Sequence, residues 1–122
     1  MVETKKSRSY RDLDVWKLAI SFVKDIYQET EKFPPHENYG LTQQIRRAAV
    51  SIPSNIAEGQ FRNSSREFKQ FLSIALGSAA EIETQLIIAK EIGYLSSEQL
   101  ESLGDTLERI IKMLRKLRIS LT

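Results

Sequence analysis

Arg46-Arg47-Ala48-Ala49-Val50-Ser51-Ile52-Pro53-Ser54-Asn55-Ile56-Ala57-Glu58-Gly59 is the stretch whose reading decides the fold. Leu41, Ile45, Ala48, Ala49, Ile52 and Ile56 recur at helical steps and mark one buried face. Yet Pro53 stands inside the run. A mid-helix proline removes a backbone bond and crowds the preceding turn, at a cost of ~3 kcal/mol. The apolar spacing persists on both sides of it. The reading is therefore one helix that starts around Tyr39–Thr42 and continues through Pro53 with a kink. Gly59 is a C-terminal signal, with room for the helix to run a little further. Two helices separated by a loop at Ser51–Ser54 would contradict this.

The same reading extends outward in both directions. Upstream, Leu13, Trp16, Ile20, Val23 and Tyr27 recur every three or four residues, with Ala19 and Ile26 widening the stripe. Asp12 and Asp14 suit the first turn of that helix, and Phe33-Pro34-Pro35 stops it. Downstream, Ser64-x-x-Glu67 is a capping box for a third helix. Its stripe is Phe68, Leu72, Ala75, Ala79, Ile82, Leu86 and Ala89, with Gly77 admitting a close neighbour and Gly93 ending it. Ser96-x-x-Gln99 is a second capping box, with Leu95 and Leu100 as a hydrophobic staple. The fourth stripe is Leu100, Leu103, Leu107, Ile110, Leu114, Leu117 and Leu121. Strand-like alternation is absent.

Four helices with short connections predict an all-α, antiparallel up-down-up-down four-helix bundle over residues 12–122. A basic, mobile N-terminal arm of residues 1–11 precedes it. A coiled-coil oligomer of long hairpins is the structural competitor. Phe22, Phe71 and Ile87 fall near or outside the narrow stripes, which suggests surplus apolar surface and self-association.

A chain of 122 residues suits one domain with its own core. It has no cysteine, which removes disulfides, thiolate chemistry and cysteine-ligated metals. No apolar run near the ~18 residues of a membrane helix stands out. The first residues lack the apolar stretch of a secretory signal, so a cytoplasmic protein without membrane contact is expected.

Net charge is only +2, but its expected distribution is uneven. Up-down topology gathers residues 1–20, 53–72 and 107–122 at one end. That end holds thirteen basic and six acidic residues, a net of +7. Arg62, Arg66, Lys112, Arg115, Lys116 and Arg118 are the candidate polyanion-binding residues. The plainer reading is that basic residues late in the fourth helix only complement its dipole. Tyr10 and Phe61 are the nearby aromatics, with Phe61 equally readable as core. Base-specific readout has no signature here.

Catalytic chemistry has little to work with. His36 is the single histidine and follows Pro34-Pro35 in a loop. The Glu-x-x-His pairs of carboxylate-bridged metal bundles are missing, as is a glycine-rich phosphate loop. Metal, cofactor and enzymatic activity are therefore not expected. Arg47, Ser51, Ser54 and Glu58 form a polar stripe on the second helix. It reads either as a solvated face, with Ser54 bonded to Glu58, or as a contact surface.

The quoted segment, with Leu13-Asp14-Val15-Trp16, Phe33-Pro34, Tyr39-Gly40-Leu41 and Phe71-Leu72-Ser73-Ile74-Ala75, resembles the signature of proteins encoded in intervening sequences of 23S ribosomal RNA genes. Arg46, Arg47, Ser51, Pro53, Asn55, Glu58 and Gly59 carry the family motif, and Arg66 also matches. The resemblance implies an antiparallel four-helix bundle that can assemble as a ring of five. It also extends to the accessory protein of diversity-generating retroelements, a basic bundle that binds nucleic acid and a reverse transcriptase. No catalytic role comes with it. The function expected is a non-enzymatic, oligomeric adaptor binding structured RNA or another polyanion weakly. The alternative is a protein-interaction module without nucleic-acid contact.

Overall fold

The computed structural model describes residues 9–121, so residues 1–8 of the expected arm and Thr122 lie outside the described residues. Four helices follow in order: α1 (Asp14–Thr30), α2 (Leu41–Phe61), α3 (Ser65–Glu91) and α4 (Ser97–Ser120). Short 3-10 turns at Tyr10–Asp12 and Pro35–Glu37 precede α1 and α2. Tyr10 packs against Trp16 in a tilted arrangement with ring centroids 5.4 Å apart, which ties the first turn to α1.

Helix ends follow the local chemistry. The Ser64 hydroxyl accepts the Glu67 N–H at the start of α3. Ser96 and Gln99 exchange both bonds of a capping box at the start of α4. Gly93 has φ of 91°, a left-handed turn that glycine adopts without penalty. The Tyr94 N–H reaches the Ala89 carbonyl and the Gly93 N–H reaches Lys90, closing α3 with a Schellman motif.

Each helix touches its chain neighbour, α1 also touches α4, and the α2–α3 contact is the most extensive. The register shows the directions. Arg46, early in α2, meets Tyr27 and Thr30, late in α1. Ser51 meets Ser78 across α2 and α3, and Gly59 abuts Phe68 and Phe71. Arg118 at the end of α4 meets Ser73 near the start of α3. Leu13 and Val15 share a groove with Met113 and Leu117. Neighbouring helices therefore run in opposite directions.

The core is a continuous column through the four helices. Its largest fully buried side chains include Phe22, Ile26, Ile45, Ile56, Leu72 and Leu107. The stripes expected for α3 and α4 are the ones turned to the core, buried along their middles and partly buried at Phe68, Leu100, Leu117 and Leu121. In α1 the expected face is rotated by one residue: the buried line is Val15, Ala19, Phe22 and Ile26. Ile20 is 44% exposed and Tyr27 is 42% exposed. The apolar arc of α1 is wide, and its centre goes where α2 and α4 meet it, while Tyr27 lies under the Arg46 guanidinium. Phe22 is therefore core, not surplus surface.

Pro53 lies buried inside α2, which is one helix from Leu41 to Phe61, so the two-helix alternative is excluded. The helix runs two residues past Gly59, to Phe61. The close approach expected at Gly77 occurs at Gly59 instead. A Cβ on Gly59 would stand 2.7 Å from Phe71 Cβ and 2.9 Å from Phe68 Cδ1, whereas one on Gly77 would meet nothing within 4 Å. Phe61 is 82% exposed and does not join the core.

One further expectation is corrected. Helix α3 is long and apolar enough to cross a membrane by length and composition, with mean hydropathy 1.4 over its best 18 residues. Its alanines, glycine and serines dilute the large apolar residues, so no continuous apolar run is visible. Leu72, Ala75, Ala79, Ile82, Leu86 and Ala89 are buried against the other helices. A core helix passes the same test.

Candidate nucleic-acid interface and the second-helix motif

The start of α1, the end of α2, the start of α3 and the end of α4 meet at one end of the molecule. The six candidate polyanion-binding residues all belong to this end, but they do not form one patch. Arg62 is occupied: its guanidinium lies 2.9 Å from Glu58 Oε2 and over the Phe71 ring at 4.9 Å. Lys112 is exposed and 3.6 Å from Glu108. Arg115 is exposed on α4, one turn before Arg118. Lys116 turns toward α1, at the rim of an apolar groove with Leu13, Asp14 and Leu117.

Arg66 and Arg118 come together. They line a cleft of about 610 Å³ between the first turns of α3 and the last turns of α4. Lys69, Gln70, Ser73 and Leu121 complete most of its wall. The Arg118 guanidinium donates to Ser73 Oγ at 3.1 Å, and that hydroxyl donates onward to the Lys69 carbonyl at 3.1 Å. Among the described residues, Arg66, Lys69 and Arg118 have no carboxylate partner, and no carboxylate lines the cleft. Sequence reading counted Lys69 in the basic end but did not single it out, and it missed Ser73. The spacing Arg66, Lys69, Ser73 is one helical face, which was the available signal.

The motif residues divide into structural roles and a groove. The Arg46 Nε donates to Thr30 Oγ1 at 2.9 Å and its Nη2 to the Tyr27 carbonyl at 3.3 Å. Its guanidinium also lies 4.4 Å from the centre of the Tyr27 ring. A cation there satisfies a carbonyl in the last turn of α1 and favours its dipole. Asn55 Nδ2 donates to the Ser51 carbonyl and to Ser51 Oγ, and that hydroxyl is 2.8 Å from Ser78 Oγ. Ser51 thus faces α3 and does not continue the solvated stripe. Glu58 pairs with Arg62, not with Ser54. Arg47 is exposed and shares a shallow polar groove with Gln43, Ser51, Ser78 and Glu81.

At the opposite end Glu37 acts as a tether. Its Oε1 accepts the Leu41 N–H at the start of α2, and its Oε2 accepts the Tyr94 hydroxyl at 2.9 Å. The bond from the Leu41 backbone, followed by that from Tyr94, holds the Glu37 carboxyl below its ordinary range. The same carboxylate raises the Tyr94 phenol. His36 stands 3.4 Å from the Tyr94 hydroxyl, in a cluster that joins two connections and caps a helix. Among the described residues no cluster of three potential metal ligands occurs.

The sequence profile of the 23S rRNA-intervening sequence protein family matches residues 11–116. The fold is similar to the crystal structure of a protein of unknown function from the S23 ribosomal protein family of Bacteroides thetaiotaomicron. That similarity has a TM-score of 0.77 and 28% sequence identity, and it covers 85% of this chain and 97% of that one. No curated protein matches the chain.

Proposed function

The chain belongs to the family of 23S rRNA-intervening sequence proteins, and from that premise we propose a non-enzymatic, oligomeric adaptor that binds structured RNA weakly through its basic end. The observation that carries the reading is the gathering of Arg66, Lys69, Arg115, Lys116 and Arg118 at one end, three of them around a cleft that, among the described residues, no carboxylate lines. Cations without partners favour phosphate contact and give affinity without base readout. In this reading α2 bends at Pro53, where the ring leaves one carbonyl without its helical donor.

Self-association supports such binding. Ile74, Ile88 and Ile92 along α3, and Phe61 at the end of α2, are exposed large apolar side chains, of a kind suited to contact between copies. A ring of five would align the basic ends and multiply weak contacts through effective concentration. Light scattering at micromolar concentration is expected to give about five times the 14.0 kDa of one chain. A mass of one chain across that range contradicts the ring.

Replacing Lys112, Arg115, Lys116 and Arg118 together by Gln is expected to remove most RNA retention. The fold should survive, because these residues flank the buried line of Leu103, Leu107, Ile110 and Leu114 without joining it. Equal RNA binding by the variant and the original chain contradicts the assignment. No measurable RNA binding by the original chain at low salt favours a protein-interaction module in its place.

A further inference from the structure

We propose that the cleft between α3 and α4 is a seat for a phosphodiester group of an RNA strand, with Arg66, Lys69 and Arg118 as its cationic ligands. The inference rests on the RNA-binding reading and locates it. A basic surface alone attracts polyanions through its summed field, and every cation at that end contributes in proportion to its distance. A seat differs because it brings fixed donors to one anion.

Three observations distinguish the cleft from the rest of the basic end. First, its cations come from two helices and face a shared space, whereas Lys112, Arg115 and Lys116 line up along α4. Second, Arg118 is only partly exposed and is held by Ser73, whose own proton is engaged by the Lys69 carbonyl. One guanidinium edge is used in this way, and the remaining N–H groups are left for a ligand. Third, two of the cations outside the cleft have acids that compete with a phosphate, Glu58 at Arg62 and Glu108 at Lys112, which leaves Arg115 and Lys116 as the unpaired comparison. Among the described residues nothing plays that part for Arg66, Lys69 or Arg118.

The lining suits the proposed ligand. The cleft is an open surface depression, so a strand can lie across it with its backbone toward the cations. Gln70 adds a neutral donor and acceptor, and Leu121 adds an apolar wall against which a sugar or base edge can rest. None of these groups reads a base pattern, so the seat predicts tolerance of sequence.

The test compares two double variants of matched charge. Lys69→Gln with Arg118→Gln empties the cleft of two ligands. Arg115→Gln with Lys116→Gln removes one Lys and one Arg from the same end but outside the cleft. Binding of a short RNA hairpin is measured by fluorescence anisotropy at low salt, and circular dichroism checks that both variants keep their helices. The cleft pair is expected to lose about tenfold more affinity than the other pair, the effect of losing directed charge-assisted bonds. Equal losses overturn the seat and leave the basic end as a diffuse binding surface. Absence of RNA binding by the original chain overturns both the seat and the reading beneath it.

Discussion

Phe22→Ala is expected to lower the unfolding free energy by about 3–5 kcal/mol, the largest effect of any single truncation considered. Phe22 is fully buried in the middle of α1, between Ala19 and Ile26 on the line that faces the core. Truncation removes the transfer free energy of the ring and leaves a void that the surrounding helices fill only in part. A domain of this size is stable by about 5–15 kcal/mol in total, so the loss is a large share. Urea unfolding at fixed protein concentration reads it as a shift in midpoint with little change in slope. The fixed concentration matters because association of copies also stabilises the folded state. Had Phe22 been part of a docking surface outside the bundle, truncation would cost the isolated chain well under about 1 kcal/mol. A shift that small contradicts the placement of α1.

The second large effect concerns sign as well as size. In an open helix interior, replacing Gly by Ala stabilises by about 0.5–1 kcal/mol, because the chain loses less backbone freedom on folding. Gly77 in α3 and Gly104 in α4 have nothing within 4 Å of the added carbon, and both substitutions should stabilise. Gly59 is different. Its added carbon would meet Phe71 Cβ at 2.7 Å, an atom attached to the α3 backbone that cannot swing away. Gly59→Ala should therefore destabilise, by about 1–3 kcal/mol after the propensity gain is offset, and Gly59→Val by more. Thermal unfolding of Gly59→Ala, Gly77→Ala and Gly104→Ala tests all three signs. A stabilised Gly59→Ala contradicts the close approach of α2 to α3.

These two residues also show what could and could not be seen in the chain before its fold. Period and caps were sufficient for the four helices, because Ser64, Ser96 and Gly93 act through bonds to residues three to five positions away. The stripes of α3 and α4 were equally legible, since apolar residues recur there at steps of three and four along one face. Helix α1 was harder. Val15, Trp16, Leu18, Ala19, Ile20, Phe22, Val23 and Ile26 cover more than one face, and only the positions of α2 and α4 choose among them. The role of Gly59 was hidden for a related reason. A glycine near a helix end has a local explanation, but the Phe71 side chain that demands it lies on another helix.

The candidate interface divides in the same way. Up-down topology was enough to collect the basic residues at one end. Which of them are engaged depends on side-chain reach: Arg62 and Lys112 find acids one turn earlier, while Arg66 and Arg118 converge from different helices. The motif arginines also separate. Arg46 is spent on the last turn of α1, whereas Arg47 remains at the surface.

The most direct test of the proposed RNA contact is the salt dependence of binding. Phosphate contacts release counterions, so the logarithm of the association constant falls linearly with the logarithm of salt concentration, by about 0.7 per contacted phosphate on a single strand. For a few contacts at each basic end, the slope with single-stranded RNA is expected to lie between about −2 and −4. Titration between low and physiological salt should give that line, and the Lys112, Arg115, Lys116 and Arg118 to Gln variant should flatten it. A slope near zero, or no detectable RNA binding at the lowest salt, contradicts the account.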